Sequence, residues 1–151
     1  CIKQMVDLYA KYQCSILGVE RVDPSETDKY GIVKTVDFGP ALGKVEIFVE
    51  KPKPDVAPSN LAVVGRYILN PGVFAKLEKI GKGAGGEIQL TDGIAALMAD
   101  EQVLAYEFEG RRFDCGAKLG FLIANIEYGL LHKDLKGDFL AYLKAKANQL
   151  V

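Results

Sequence analysis

The chain has 151 residues, of which 49% are hydrophobic and 26% are charged, so a disordered chain is excluded and one ordinary domain is the expected size. The longest uncharged apolar run, residues 94–99, is far shorter than the roughly 20 residues that cross a bilayer. The 19 basic and 20 acidic residues leave a net charge of −1, which argues against a broad nucleic-acid-binding surface. We therefore expect neither nucleic acid nor a membrane as a partner.

The cysteines indicate the redox compartment. Three cysteines stand at positions 1, 14 and 115, and their spacing matches no zinc or redox motif. Reduced cysteines of a cytoplasmic protein are the expected state.

The first elements are a helix and a strand. Apolar residues recur at helical spacing over residues 2–12, and residues 14–22 have the composition of a buried strand. A helix followed by such a strand is typical of the second half of a βαβ crossover. Because no strand precedes the helix, we expect this chain to be part of a longer domain.

The next segment is predicted to form a β-hairpin after a polar loop at residues 23–29. Strands are predicted at residues 30–36 and 44–50, with a turn between them. In the second strand Val45, Ile47 and Val49 alternate with Glu46, Phe48 and Glu50, a pattern typical of a half-buried strand. Pro52 and Pro54 end this strand.

A further strand is predicted at residues 61–68, followed by a helix. Asn70 and Pro71 are typical of the N-cap and the first position of a helix, with Val73, Phe74 and Leu77 on its apolar face.

The remaining elements follow a glycine-rich loop at residues 81–86. Thr91 is predicted to cap a helix with Ile94, Leu97 and Met98 facing inward. A strand at residues 103–108 and helices at residues 117–131 and about 135–148 complete the chain. In the first of these helices Leu119, Leu122, Ile123, Ile126 and Leu130 form the apolar stripe. The pattern predicts an α/β fold and one partial domain over residues 1–151.

Glu50 and Lys51 form the first candidate site. They end a strongly predicted strand, and ligands of open α/β sheets bind outside the carboxyl ends of strands. A carboxylate there can accept hydrogen bonds from hydroxyl groups, and an ammonium can bind a phosphate. A solvated strand end with an ion pair is the structural alternative.

Gly85-Gly86-Glu87 forms the second candidate, since glycines between a loop and a helix allow close approach of the backbone to a ligand. The alternative is a flexible connector.

Asp114 forms the third candidate, between a strand and a helix and beside Arg111, Arg112 and Gly116. A carboxylate in this place can bind Mg²⁺ that bridges phosphates, although Mg²⁺ sites use one or two carboxylates together with substrate phosphates. Asp114 could equally be a helix N-cap or a turn residue.

Taken together, four ordered motifs resemble one family. They are residues 30–33 (YGIV), 45–52 (VEIFVEKP), 85–92 (GGEIQLTD) and 113–118 (FDCGAK). Their order and spacing are similar to those of the bacterial UTP–glucose-1-phosphate uridylyltransferases, or UDP-glucose pyrophosphorylases, within the sugar-1-phosphate nucleotidyltransferase family.

The resemblance implies a Rossmann-like α/β fold with a mixed sheet flanked by helices. It also implies a glycine-rich UTP-binding loop and a first Mg²⁺-binding aspartate, neither of which is in this sequence. The chain is thus expected to be the C-terminal, sugar-phosphate-binding part of a longer enzyme and inactive alone. The resemblance further implies that the N-terminal, nucleotide-binding part is not included in these 151 residues.

The resemblance also implies roles for individual residues. Gly31 and Glu50 would bind sugar hydroxyls, Lys51 the sugar phosphate, and Asp114 Mg²⁺, with Lys51 and Asp114 as the catalytic residues. Gly65, Arg66 and Tyr67 would line the sugar pocket. Gly86 and Glu87 have either a structural, an oligomeric or a ligand-binding role.

The implied reaction is the attack of glucose 1-phosphate on the α-phosphorus of UTP, which yields UDP-glucose and pyrophosphate. Positioning and charge neutralisation by Mg²⁺ and Lys51 would carry it, without a covalent intermediate or a general base. A sugar-phosphate-binding or regulatory module without catalysis is one alternative. A nucleotidyltransferase for another sugar or nucleotide is the other. We also expect a homo-oligomer.

Overall fold

The computed structural model describes residues 1–83 and 86–149. The chain divides into two compact units, Cys1–Glu109 and Gly110–Val151. All the described strands belong to the first unit, and the second contains two helices. The single partial domain expected over residues 1–151 stays a prediction.

The order of helices and strands predicted from the sequence is confirmed. In the first unit the elements are α1 (Ile2–Tyr12), β1 (Ser15–Arg21), a 3₁₀ helix (Pro24–Lys29), β2 (Gly31–Gly39), β3 (Leu42–Glu50), β4 (Leu61–Ile68), α2 (Gly72–Leu77), α3 (Leu90–Leu97) and β5 (Val103–Glu107). The second unit contains α4 (Lys118–Leu131) and α5 (Lys136–Gln149).

The segment at residues 23–29 was predicted as a loop and is instead mostly the 3₁₀ helix. The Asp23 side chain accepts a hydrogen bond from the Ser25 N–H, and Pro24 stands at the first helical position. Such a cap and a proline with fixed φ favour a helical turn.

The strands form one mixed sheet in the order β1–β4–β2–β3–β5, which closes because β5 pairs in parallel with β1. The other pairings are antiparallel, including the predicted hairpin of β2 and β3. Strands β3 and β4 therefore run in the same direction on either side of β2. Their carboxyl ends and the start of β2 lie at one edge of the sheet.

A β-bulge in β3 changes the alternation that the sequence suggested. Lys34 pairs with Ile47 and Thr35 with Val45, so Glu46 is an extra residue on β3. A bulge of this kind shifts the side-chain alternation by one residue. Val45 and Phe48 are consequently buried, whereas Ile47 and Val49 are about 40% exposed.

The hydrophobic core has two parts, one on each face of the sheet, and different helices pack against each part. On one face Leu17 and Val19 pack with Val73, Ile94 and Leu97 of α2 and α3. On the other face the cluster that contains Ile16 and Leu104 packs against Met5 of α1. Successive side chains of β1 are thus buried on opposite faces of the sheet. A strand that is buried on both faces has a continuous apolar sequence, as β1 does.

Two predicted helix caps are wrong, because tertiary hydrogen bonds engage both side chains. The Asn70 amide accepts from the Tyr9 hydroxyl at 3.0 Å and donates to Glu101 at 3.2 Å, and the N-cap of α2 is Pro71. Thr91 lies inside α3, whose N-cap is Gln89. The inward positions of α3 are confirmed, because Ile94 and Leu97 are buried and the partly buried Met98 packs against the same core.

The predicted apolar stripe of α4 is largely exposed. Leu119, Leu122 and Ile126 are 68%, 58% and 40% exposed, and Ala124 is the buried residue of this helix. Over its described residues the second unit has only two helices, so it has no third layer that could cover the remaining apolar face of α4. The apolar residues of α4 therefore have helical spacing, but most of them are not buried.

None of the helices in residues 1–83 and 86–149 has the length and apolar character that a bilayer crossing requires.

Candidate functional site

Glu50 is the last residue of β3, at one edge of the sheet, and its backbone pairs with Gly31 of β2. A Cβ atom on Gly31 would stand 2.7 Å from the Phe48 ring and 3.2 Å from Glu50 Oε2. Gly31 therefore makes room for the ring and the carboxylate above its backbone. Because of the bulge at Glu46, the Phe48 side chain lies on the buried face of β3. Glu50 is two residues further along the strand and therefore lies on the same face.

Lys51 is held in an unusual backbone conformation immediately after β3. Its φ is +45°, in the left-handed region, and its N–H donates to the Tyr30 carbonyl at 3.0 Å. A residue with a Cβ that precedes a proline rarely adopts this conformation. The ammonium lies 3.9 Å from Glu50 Oε1, and its side chain is 61% exposed, so it remains accessible to an anion.

Tyr67 lies near the end of β4, at the same edge of the sheet. Burial raises the pKa of the Tyr67 phenol, and the nearby charge of Glu50 raises that pKa further. The structure thus brings four of the predicted residues, Gly31, Glu50, Lys51 and Tyr67, to one edge.

Gly65 and Arg66 belong to a second bulge at this edge. Leu17 pairs with Tyr67 and Val19 with Val63, so three residues of β4 stand opposite Gly18 alone. Gly65 has a φ of +68°, which suits glycine, and Arg66 is exposed and donates to the Gly65 carbonyl at 3.0 Å. No described contact joins Arg66 to the Glu50 or Lys51 side chains.

An open cleft of about 460 Å³ lies beside Glu50. It is lined by Phe48, Val49, Glu50, Lys51, Gln89 and Asp92. This volume is within the range of small-molecule sites. A carboxylate and an ammonium side by side can accept hydrogen bonds from hydroxyl groups and bind an anion.

Asp114 belongs to the second unit, where it is an exposed turn residue. Its Oδ1 accepts from the Gly116 N–H at 3.0 Å, which forms an Asx turn before α4. Of the two structural alternatives the turn is correct, because the N-cap of α4 is Ala117. Within the described ranges no group of at least three His, Cys, Asp or Glu residues could hold a metal ion. The metal role of Asp114 stays a prediction.

The Gly85-Gly86-Glu87 motif is only partly within the described residues, because Gly85 lies outside them. Gly86 has a φ of +79° and donates its N–H to the Gly83 carbonyl at 3.1 Å. The Glu87 carbonyl accepts a hydrogen bond from the Gly83 N–H at 2.9 Å.

Sequence reasoning missed Thr91, which contacts Glu50, and four residues that line the cleft: Phe48, Val49, Gln89 and Asp92. Thr91 donates its hydroxyl to Glu50 Oε2 at 2.6 Å. The motif at residues 85–92 contained Thr91, but its position before an apolar helix pointed to a cap. Only the tertiary packing of α3 beside β3 shows this contact.

The mixed sheet and its helices define an α/β protein, and an acid–base pair at a strand end adjoins an open cleft. The sequence profile of the nucleotidyl transferase family matches residues 1–130. The chain belongs to this family.

Among members of the family, the chain is similar to UTP–glucose-1-phosphate uridylyltransferases. It is 46% identical over 143 residues to UTP–glucose-1-phosphate uridylyltransferase 2 of Staphylococcus saprophyticus, covering 95% of this chain and 50% of that protein. It is 50% identical over 123 residues to the UTP–glucose-1-phosphate uridylyltransferase of Pseudomonas aeruginosa, covering 82% and 44%.

A solved structure agrees with this similarity. A UDP-glucose pyrophosphorylase complexed with UDP-glucose matches with a TM-score of 0.80 and 42% identity, covering 83% of this chain and 48% of that one. The predicted fold class and family are confirmed. The chain spans about half the length of the curated relatives it matches.

Proposed function

We propose that the protein containing this chain transfers a uridylyl group from UTP to glucose 1-phosphate and that this chain binds the sugar phosphate. The observation that carries the proposal is the cleft in which the held Glu50 carboxylate adjoins the exposed Lys51 ammonium. Membership of the nucleotidyl transferase family and the similarity to UTP–glucose-1-phosphate uridylyltransferases support the reaction.

The proposed roles follow from the chemistry of each group. Glu50 accepts hydrogen bonds from sugar hydroxyls while Gly31 leaves room beside it, and Lys51 neutralises the phosphate. Tyr67 lines the sugar pocket, together with Gly65 and Arg66 of the bulge in β4. The attacking phosphate is already ionised at neutral pH, so these residues position and orient it rather than remove a proton.

We further propose Asp114 as one Mg²⁺ ligand. Its exposed carboxylate is the hard oxygen donor that Mg²⁺ prefers, and the Gly116 N–H engages Oδ1, which fits a held ligand. Bound Mg²⁺ would neutralise phosphate charge during the transfer. Asp114→Asn, which removes the charge, should lower Mg²⁺ affinity and kcat together, whereas full activity across an Mg²⁺ titration would contradict the role.

The test of the sugar-phosphate site compares Lys51→Ala with Lys53→Ala in the natural protein that contains this chain. Losing a charge-assisted hydrogen bond costs about 1.5–3 kcal/mol, so Lys51→Ala should raise KM for glucose 1-phosphate at least about tenfold. Lys53 is an exposed lysine outside the cleft, and its variant should keep the wild-type KM. An unchanged KM in Lys51→Ala would contradict the proposal.

Pyrophosphate release separates the proposed enzyme from the alternatives. A module that only binds sugar phosphate takes up glucose 1-phosphate without releasing pyrophosphate from UTP. A related transferase releases it faster with another nucleotide or sugar phosphate. The 151-residue chain alone, measured in parallel, should bind glucose 1-phosphate and form little UDP-glucose.

We also propose a cytoplasmic homo-oligomer. Exposed apolar side chains in the second unit, such as Leu119, Leu122 and Leu131, support self-association, since single exposed residues are common but a group of them on one helix is not. Analytical ultracentrifugation of the natural protein tests this, and a monomer at all concentrations would contradict it.

A further inference from the structure

The Thr91 hydroxyl makes a short hydrogen bond to the candidate site. Thr91 stands in the first turn of α3 and is 8% exposed, and its Oγ1 lies 2.6 Å from Glu50 Oε2. This distance is in the range of an O–H donor bound to an ionised carboxylate, a strong class of hydrogen bond.

Other surroundings of Glu50 restrict the same oxygen. Oε2 lies over Gly31, where a Cβ would be 3.2 Å away, and Phe48 packs on the same glycine. Oε1 faces the Lys51 ammonium at 3.9 Å, too far for a hydrogen bond. Oε2 is therefore held by Thr91, while Oε1 keeps the capacity to accept from a ligand in the cleft.

The position of Thr91 on α3 favours this arrangement. The first turn of a helix carries partial positive charge, which stabilises a nearby carboxylate. The N-cap residue of α3 is Gln89, and the Thr91 hydroxyl donates to Glu50.

We propose that Thr91 is a positioning residue that fixes the Glu50 carboxylate so that Oε1 accepts a hydrogen bond from a hydroxyl of the sugar. This inference rests on the proposed function, in which Glu50 binds the sugar. Thr91 itself need not touch the substrate.

The experiment measures steady-state kinetics with glucose 1-phosphate in the natural protein that contains this chain. Thr91→Val removes the hydroxyl at nearly constant volume, and Thr91→Ser retains it. Thr35→Val makes the same chemical change on β2, away from the residues that line the cleft. Glu50→Gln and the Glu50→Gln, Thr91→Val double variant complete the cycle, and thermal melting checks that each variant is folded.

We expect Thr91→Val to raise KM for glucose 1-phosphate about tenfold with a smaller change in kcat, and Thr91→Ser and Thr35→Val to stay near wild type. In the Glu50→Gln background, Thr91→Val should add little, because Thr91 acts through the carboxylate. Among the monodeoxyglucose 1-phosphates, the analogue that lacks the recognised hydroxyl should lose its disadvantage in Thr91→Val.

Each contrary result has a distinct meaning. A wild-type KM in Glu50→Gln would overturn the proposed function and this inference with it. An altered KM in Glu50→Gln with a wild-type KM in Thr91→Val would overturn the inference alone, as would full additivity in the double variant. If Thr91→Val does not fold, Thr91→Ala is used in the same cycle and is read in the same way.

Discussion

The two compact units hold their candidate residues by different kinds of contact. In the first unit Glu50 is contacted by Gly31 of β2 and Thr91 of α3, which are far apart in sequence. In the second unit Asp114 is held by Gly116, its neighbour two residues along. The geometry of Glu50 therefore depends on the whole sheet, whereas that of Asp114 depends on one turn.

Burial differs between the units in the same way. Of the buried hydrophobic residues in the described ranges, all but Ala124 belong to the first unit. Apolar residues of α4 such as Leu122 and Leu131 are 58% and 75% exposed. Stability should accordingly come mostly from side chains of the first unit, and the predictions below test this difference in decreasing order of effect.

The largest effect is expected from a core truncation in the first unit. Leu17→Ala removes a fully buried side chain of β1 and should lower the free energy of unfolding by about 2–5 kcal/mol. The matched change Leu122→Ala in α4, measured at concentrations where the chain is monomeric, should alter it by less than about 0.5 kcal/mol. Chemical denaturation of the 151-residue chain measures both, and equal losses would remove the distinction between the units.

A smaller effect is expected at Lys51, whose φ of +45° is imposed by contacts within the first unit. Glycine adopts this conformation freely, whereas a residue with a Cβ pays about 1–2 kcal/mol, partly offset by the entropy of glycine in the unfolded chain. Lys51→Gly should thus be more stable than Lys51→Ala by about 0.5–1 kcal/mol, and both variants should lack the proposed contact with the sugar phosphate.

Lys53 provides the control for that comparison, because it is not among the residues with positive φ. There the glycine variant should be less stable than the alanine variant. Urea denaturation decides the sign, and the same order at both positions would show that Lys51 is not strained.

The sequence alone predicted the elements well because they follow from local periodicity. The helical spacing over residues 2–12 and the apolar segment of β1 needed no tertiary information, and both elements are present. The Glu50–Lys51 pair was found for the same reason, since a strand end is visible in the pattern. The family resemblance then supplied roles that spacing could not.

What the sequence could not predict depends on contacts between distant segments. The bulge at Glu46 arises from pairing with β2, and it buries Phe48 where simple alternation favoured Ile47 and Val49. Thr91 is a common N-cap residue, yet its hydroxyl finds the carboxylate of Glu50. In α4 the periodicity was correct, but periodicity cannot say whether a layer exists to cover the stripe.

A small effect is expected for the local turn in the second unit. Asp114→Asn can still form the Asx turn and should leave the melting temperature unchanged, whereas Asp114→Ala loses the hydrogen bond to Gly116 and about 0.5 kcal/mol. Thermal melting of both variants measures the difference. A large loss in Asp114→Asn would show that Asp114 is held by more than this turn.

The smallest effect concerns the long-range coupling between Tyr67 and Glu50 in the first unit. Burial is the main cause of the raised Tyr67 pKa, and the charge of Glu50 adds to it. Glu50→Gln removes only the second cause, so it should lower the pKa of Tyr67 partway towards its ordinary value of about 10. The change in phenol absorbance on alkaline titration reports this, with Tyr67→Phe to identify the signal.

The same coupling has a consequence for stability at high pH. Because the folded pKa is raised, the contribution of Tyr67 to stability is fully present below about pH 10 and is lost as the pH rises through the folded pKa. The loss should be smaller in Glu50→Gln and absent in Tyr67→Phe. An identical Tyr67 titration in wild type and Glu50→Gln would show that the carboxylate does not face the phenol, and the sheet edge would then not hold these two groups together.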